Sequence, residues 1–130
     1  IFTGRVDIIS YMEKLDFTIL TSISEGQPLS VLESFAARRP CVTTDVGCCR
    51  ELLNGNEEDR YGTVGYCVPP MYREGLAQAM DQMCASRARR LRMGENAQKR
   101  VKAYYRKEEM IEKYRKMYQE VEAADGRNRI

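Results

Sequence analysis

The chain has 130 residues, 43% of them hydrophobic and 31% charged, enough to bury one modest core and too few for two ordinary domains. No apolar run approaches the roughly 20 residues that cross a bilayer as a helix, and a sequence without histidine cannot build a Ser-His-Asp or Cys-His nucleophile system, or a mixed Cys/His zinc site, from its own residues. Five cysteines (Cys41, Cys48, Cys49, Cys67, Cys84) lie scattered without C-x-x-C spacing, as the small apolar residues of a reduced, cytoplasmic protein do, and the net charge is only +2.

Ile1-Phe2-Thr3 reads as the end of a strand. A chain that opens on Ile, inside an element, is expected to be a piece of a longer one. Asp7 caps a predicted helix to about Lys14, with Ile8, Met12 and Leu15 as its apolar stripe. Asp16 to Thr21 is β-branched and aromatic, hence a buried strand, and Ser22 to Gln27 is a polar loop. Pro28 suits the first turn of a helix running to about Arg38, whose apolar residues are Leu29, Val31, Leu32, Phe35 and Ala36. Pro40 to Thr44 is the next strand, Gly47 a turn, and Cys49 to Leu53 a short helix ended by Asn54-Gly55. One side chain of the Cys48-Cys49 pair is expected to pack inward. After the loop 54–62, Val64 to Val68 makes a strand, and Tyr72 to about Ala85 a helix with Leu76, Met80 and Met83 on one face.

Strands alternating with helices predict a Rossmann-like parallel sheet with right-handed crossovers, over residues 1–85. Residues 86–130 are read as the C-terminal helical segment of the same domain. One helix spans about Arg87 to Tyr104, with Leu91, Ala97 and Val101 as its core face. A second spans about Lys107 to Ala123, with Met110, Tyr114, Met117 and Val121 as a seam and Glu109/Lys113 and Glu112/Lys116 as supporting pairs. Tyr104, Tyr105, Tyr114 and Tyr118 are read as amphipathic packing, and Asp125 to Ile130 as a frayed end. Charge is uneven: residues 1–85 carry 7 basic and 12 acidic side chains, whereas 86–107 carry 9 basic and one acid, Glu95.

In an open α/β sheet, ligands sit beyond the carboxyl ends of the strands, where loops lead into helix N-termini. Ser22 to Glu33 occupies such a place. The amides of Leu29, Ser30 and Val31 fall in a first helical turn, where intrahelical acceptors are lacking, and the positive helix end favours a phosphate or diphosphate. Gly26 lets the backbone approach a ligand closely. Glu25 and Glu33, eight residues apart, flank this anion site, and carboxylates accept hydrogen bonds from vicinal diols, so the arrangement resembles a nucleotide-sugar site. The same pattern also fits two solvated acids near a helix N-terminus, where the dipole favours negative charge.

The segment Ser24-Glu25-Gly26-Gln27-Pro28-Leu29-Ser30-Val31-Leu32-Glu33-Ser34-Phe35-Ala36-Ala37, followed by Pro40-Cys41-Val42-Thr43-Thr44-Asp45-Val46-Gly47, resembles the E-x7-E region of retaining glycosyltransferases of family 4, which have the GT-B fold. Gly4-Arg5-Val6, the strand at Phe17 and Gly65-Tyr66-Cys67-Val68-Pro69-Pro70 fall in the order that family uses, so the likeness covers residues 1–85. The variant S-E-G-Q-P-L, with Thr44 to Leu52, is similar to cytosolic members of exopolysaccharide synthesis, associated with UDP-glucose as donor. Arg38-Arg39 departs from the pattern, where small or glycine residues are commoner.

The resemblance implies roles. Glu33 would bind the ribose hydroxyls, and Glu25, the candidate catalytic residue, the donor sugar. Gly26, Gln27, Pro28, Leu29, Ser30 and Val31 would form the backbone cradle for sugar and diphosphate. Gly4, Arg5 and Val6 would lie against the base, largely through backbone. It also implies transfer of a hexose to a glycan acceptor with retention, without metal or cofactor, by a longer chain that includes an N-terminal GT-B domain and the family's basic diphosphate-binding pair. The fragment alone would be inactive. In the family's strand order 3-2-1-4-5-6, it would supply strands 3 to 6, leaving Ile1 to Thr3 without neighbours and the Phe17 strand as a raw edge open to self-association.

Two readings from other classes compete. Arg87, Arg89, Arg90, Arg92, Lys99, Arg100, Lys102, Arg106 and Lys107 suit a nucleic-acid-binding helix, though no stacking aromatic array accompanies them and no nucleic-acid partner is expected. A non-catalytic α/β interaction domain is the other.

Overall fold

Three short runs of β-branched and apolar residues, β1 (Thr18–Leu20), β2 (Cys41–Thr44) and β3 (Gly65–Val68), pair in parallel in the order β1-β2-β3. Thr18 lies opposite Cys41, and Cys41 opposite Gly65, so all three carboxyl ends emerge on one side. The computed structural model describes the backbone of residues 1–127 and the side chains of residues 1–124. Around the sheet run α1 (Ile8–Met12), α2 (Leu29–Ala36), α3 (Cys49–Asn54), α4 (Arg73–Ala85), α5 (Arg87–Tyr104) and α6 (Lys107–Arg127).

All four residues of central β2 are buried, because alternate side chains enter two cores. Cys41 joins Val31 and Phe35 of α2, Leu52 and Leu53 of α3, Val64, and Ala97 of α5. Val42 on the opposite face joins Val68 with Ala79 and Met83 of α4. The architecture is the Rossmann-like parallel sheet with C-terminal helices that the alternation predicts.

Several elements differ from the sequence-based expectation. Ile1 to Thr3 forms no strand, and Ile1 and Phe2 are fully exposed. The outer edge of β1 carries no strand among the described residues, so this segment has no ladder to join. Asp7 does cap α1, accepting from the Ile9 amide at 3.3 Å, but the helix ends at Met12. Pro28 is extended (φ −72°, ψ 115°) and stands just ahead of α2 rather than inside it. Leu29 and Ala36 are exposed, while Ser34 is buried with Val31 and Phe35.

The end of α2 explains how Arg38 is tolerated where glycine is usual. Arg38 adopts φ 60°, its amide donates to the Phe35 carbonyl at 3.0 Å and that of Arg39 to the Ser34 carbonyl at 2.8 Å. Those two bonds complete a Schellman motif.

Part of the basic stretch is engaged within the chain. Arg90 donates to the Met83 and Cys84 carbonyls, both at 2.8 Å, stopping α4, and pairs with Asp16 at 3.2 Å. Arg89 donates to the Tyr66 hydroxyl at 3.1 Å. Arg100 is fully buried. The inward face of α5 therefore runs through Gly94, Ala97 and Arg100, with Leu91 turned outward.

On α6 the seam residues do not pack: Met110, Tyr114, Met117, Tyr118 and Val121 are each more than 50% exposed. Glu112 pairs with Arg115 at 3.8 Å and Glu109 with Arg106 at 3.9 Å, not with the lysines expected. Tyr105 packs against the first core, and Tyr104 meets Tyr61 edge-on at 6.3 Å. The helix continues through Asp125 to Arg127, and the rest of the expected frayed end lies outside the described residues.

Candidate functional site

Parallel pairing brings the loop after β1 beside the turn after β2 at the carboxyl edge of the sheet. Thr44 Oγ1, at the end of β2, donates to the Ser22 carbonyl at 2.6 Å. Ser22 Oγ in turn donates to Glu25 Oε1 at 2.6 Å, engaging one carboxylate oxygen. The Cys48 amide donates to the Gly26 carbonyl at 3.0 Å. Gly47 sits at φ +53°, where a Cβ would come within 3.0 Å of the carbonyl oxygens of Glu25 and Gly26.

The start of α2 has no side-chain cap and no acid in its first turn. The Val31 amide turns back onto the Pro28 carbonyl at 3.2 Å, which removes it from the set of free donors, and Pro28 has no N–H. The amides of Leu29 and Ser30 have no backbone acceptor among the described residues, and both residues are exposed. Two converging donors at a positive helix end can hold an anionic oxygen.

Glu33 is exposed on α2 and faces a groove of about 640 Å³ lined by Ile8, Ile9 and Met12 of α1 and by Ala36 to Arg39. Arg39 braces its wall, donating to the Met12 and Glu13 carbonyls at 3.0 and 2.6 Å. A second groove of about 380 Å³ shares Ile8 and Met12 and reaches Ser30, Val31 and β1. Ser30 and Val31 thus border one groove and Glu33 its neighbour, the two sharing Ile8 and Met12. Glu25 lines neither groove; it and Gly26 are held against the Gly47-Cys48 turn. Gly4, Arg5 and Val6 line neither, but lead directly into the α1 wall.

Charge at this edge is locally settled. The Arg50 guanidinium, hydrogen-bonded to Asp45, holds that carboxyl below the usual range, and Asp45 Oδ1 also accepts from the Cys67 thiol at 3.5 Å. Burial pushes the Cys41 thiol up to about 12 and raises those of Cys48, Cys49 and Cys67, so these are packing groups and not thiolates. Cys49 is the inward member of its pair, and all five cysteines are free. Among the described residues no three His, Cys, Asp or Glu side chains gather as a metal site, and no helix is long and apolar enough to cross a membrane.

Sequence reasoning missed Ser22 and Thr44 and gave Gly47 only a turn. The available signal was the pairing of two loops at adjacent strand ends, which depends on strand order.

Residues 1–100 match the family model described as Glycosyl transferases group 1. Over its full length the chain is 27% identical to an N-acetyl-alpha-D-glucosaminyl L-malate synthase of Bacillus anthracis, covering 33% of that protein. It is 38% identical over 74 residues to the O-antigen biosynthesis glycosyltransferase WbnH of Escherichia coli, a match covering 55% of this chain and 22% of the relative. Among solved structures, a sucrose-phosphate synthase from Thermosynechococcus elongatus superposes with a TM-score of 0.83 at 24% identity, over 95% of this chain and 30% of that one. The C-terminal domain of a glycosyl transferase group 1 protein (LpcC) from Francisella tularensis gives 0.64 at 23% identity, over 82% and 52%. The chain spans a third or less of the length of these curated relatives. With the family model matching most of its residues, the chain belongs to the glycosyl transferases group 1 family.

Proposed function

We propose that this chain is the donor-binding part of a retaining hexosyltransferase that passes glucose from UDP-glucose to a glycan acceptor in exopolysaccharide synthesis, in the cytoplasm and without a metal or cofactor. The observation that carries the reading is the uncapped start of α2, with free Leu29 and Ser30 amides between the acids Glu25 and Glu33. Those amides meet the diphosphate, whose departure they favour by stabilising developing charge. Glu33 takes the ribose hydroxyls, and Glu25 orients the hexose with the oxygen that Ser22 leaves open. Gly4 to Val6 lie against the base. The further cations come from the remainder of a longer protein, together with the acceptor-binding domain, so this segment by itself does not turn over. The S-E-G-Q-P-L motif, similar to that of the cytosolic enzyme of Pel exopolysaccharide synthesis, supports the choice of donor. The likeness to the O-antigen biosynthesis glycosyltransferase WbnH supports transfer in glycan biosynthesis.

Nucleic acid is not the partner in this reading: Arg89, Arg90 and Arg100 are engaged within the chain, which breaks up a continuous phosphate-binding face.

Titration calorimetry of the full-length protein with UDP tests the assignment. Glu33→Ala is expected to weaken UDP binding by about 10- to 100-fold, the loss of one or two hydrogen bonds to a charged group. Equal affinities would remove Glu33 from the ribose site.

A further inference from the structure

The β2–α3 turn holds the Glu25 loop at three points. Thr44 Oγ1 grips the Ser22 carbonyl at 2.6 Å, the Cys48 amide grips the Gly26 carbonyl at 3.0 Å, and Gly47 provides the space in which the Glu25 and Gly26 carbonyls lie. Thr44 is 7% exposed and belongs to the fully packed central strand, so the anchor is rigid. Within the loop, Ser22 Oγ bonds Glu25 Oε1 at 2.6 Å, and no partner of Oε2 exists among the described residues. A carboxylate fixed by one oxygen presents the other in a defined direction.

We propose that Ser22, supported by Thr44 and Gly47, is the positioning residue that aims the free oxygen of Glu25 at the hexose of the donor, and so sets affinity for the sugar rather than for the nucleotide. This rests on the donor-site reading above. Ser22 touches no substrate in it; the hydroxyl acts through Glu25. Without the hydroxyl, Glu25 regains its rotamer freedom and must be ordered again on each binding event.

The experiment measures binding of UDP-glucose, UDP-N-acetylglucosamine and GDP-mannose to the full-length protein, each against its free nucleoside diphosphate. Ser22→Ala is expected to weaken binding of the sugar nucleotide by about 2- to 10-fold, the cost of re-ordering one side chain on binding, with the free diphosphate unchanged. Ser22→Thr, which keeps the hydroxyl, should restore affinity to within about two-fold. A folded Gly47→Ala, which displaces both carbonyls, should show the same selective loss. If Ser22→Ala binds sugar nucleotide as the wild type does, or loses diphosphate and sugar nucleotide equally, the positioning role is overturned while the donor site stands. If the wild-type protein binds none of the five compounds, the donor reading falls and takes this role with it.

Discussion

Arg100 has five N–H donors and uses every one without reaching solvent. Its Nη1 donates to the Leu52 and Leu53 carbonyls at 2.9 and 2.8 Å, Nη2 to Asp59 Oδ1 at 3.1 Å and the Gly62 carbonyl at 2.6 Å, and Nε to Asp59 Oδ2. A buried guanidinium on α5 thereby ends α3 and shapes the loop before β3. Removing one partner of such a pair leaves a buried charge, so Asp59→Ala should lose about 3–5 kcal/mol in urea unfolding at neutral pH. Burial alone would raise the Asp59 carboxyl, but the Arg100 hydrogen bond and the Tyr61 amide outweigh it and hold the group below its ordinary 3.8. A depressed folded value stabilises the protein above the unfolded one. The gap between wild type and Asp59→Asn should therefore be full above about pH 5 and shrink as pH falls through 3.8 and then through the folded value. A gap that widens in acid would refute the assignment. Nothing in the sequence marks Arg100 as internal, since it stands in a run of basic residues that reads as a solvated face.

Between helices, α5 approaches the end of α2 closely. A Cβ on Gly94 would fall within 3.0 Å of the Arg38 carbonyl oxygen, and the contact is backed by hydrogen bonds from Arg38 Nε to Gln98 Oε1 and from Gln98 to the Ala36 carbonyl, both 3.0 Å. Gly94→Ala must push the helices apart, at an expected cost of about 1–3 kcal/mol measured by thermal or urea unfolding, whereas an outward change such as Leu91→Ala should cost far less. Unchanged stability in Gly94→Ala would show that the contact can relax. Helix periodicity located α2, α4 and α5 well because their buried faces follow the 3.6-residue repeat. It misjudged α6, whose stripe is apolar yet exposed, and Ile1 to Thr3, whose strand composition meets no neighbouring strand.

For the whole molecule, the outer edge of β1 is the exposed feature with the widest consequence. Its residues Thr18, Ile19 and Leu20 line a groove with Ile8, Met12 and Leu15, and Ile19 is 42% exposed. An unpaired edge above apolar surface invites pairing with another strand. The 130-residue chain is expected to self-associate as its concentration rises. A monodisperse monomer of the isolated chain by light scattering at high concentration would count against this.

Local chemistry, legible in one dimension, determined the α/β alternation, the glutamates at 25 and 33 about a helix start, and the family likeness, because hydrophobic period and turn residues act over a few positions. Tertiary structure alone decided that the turn at Gly47 braces the loop of Glu25, that Glu33 and not Glu25 lines the groove beside α1, and that Arg100 is core while the α6 stripe is not. The physical reason is that these depend on which strand ends are adjacent and which helix covers which face. Pairing and packing settle both between residues far apart in the chain.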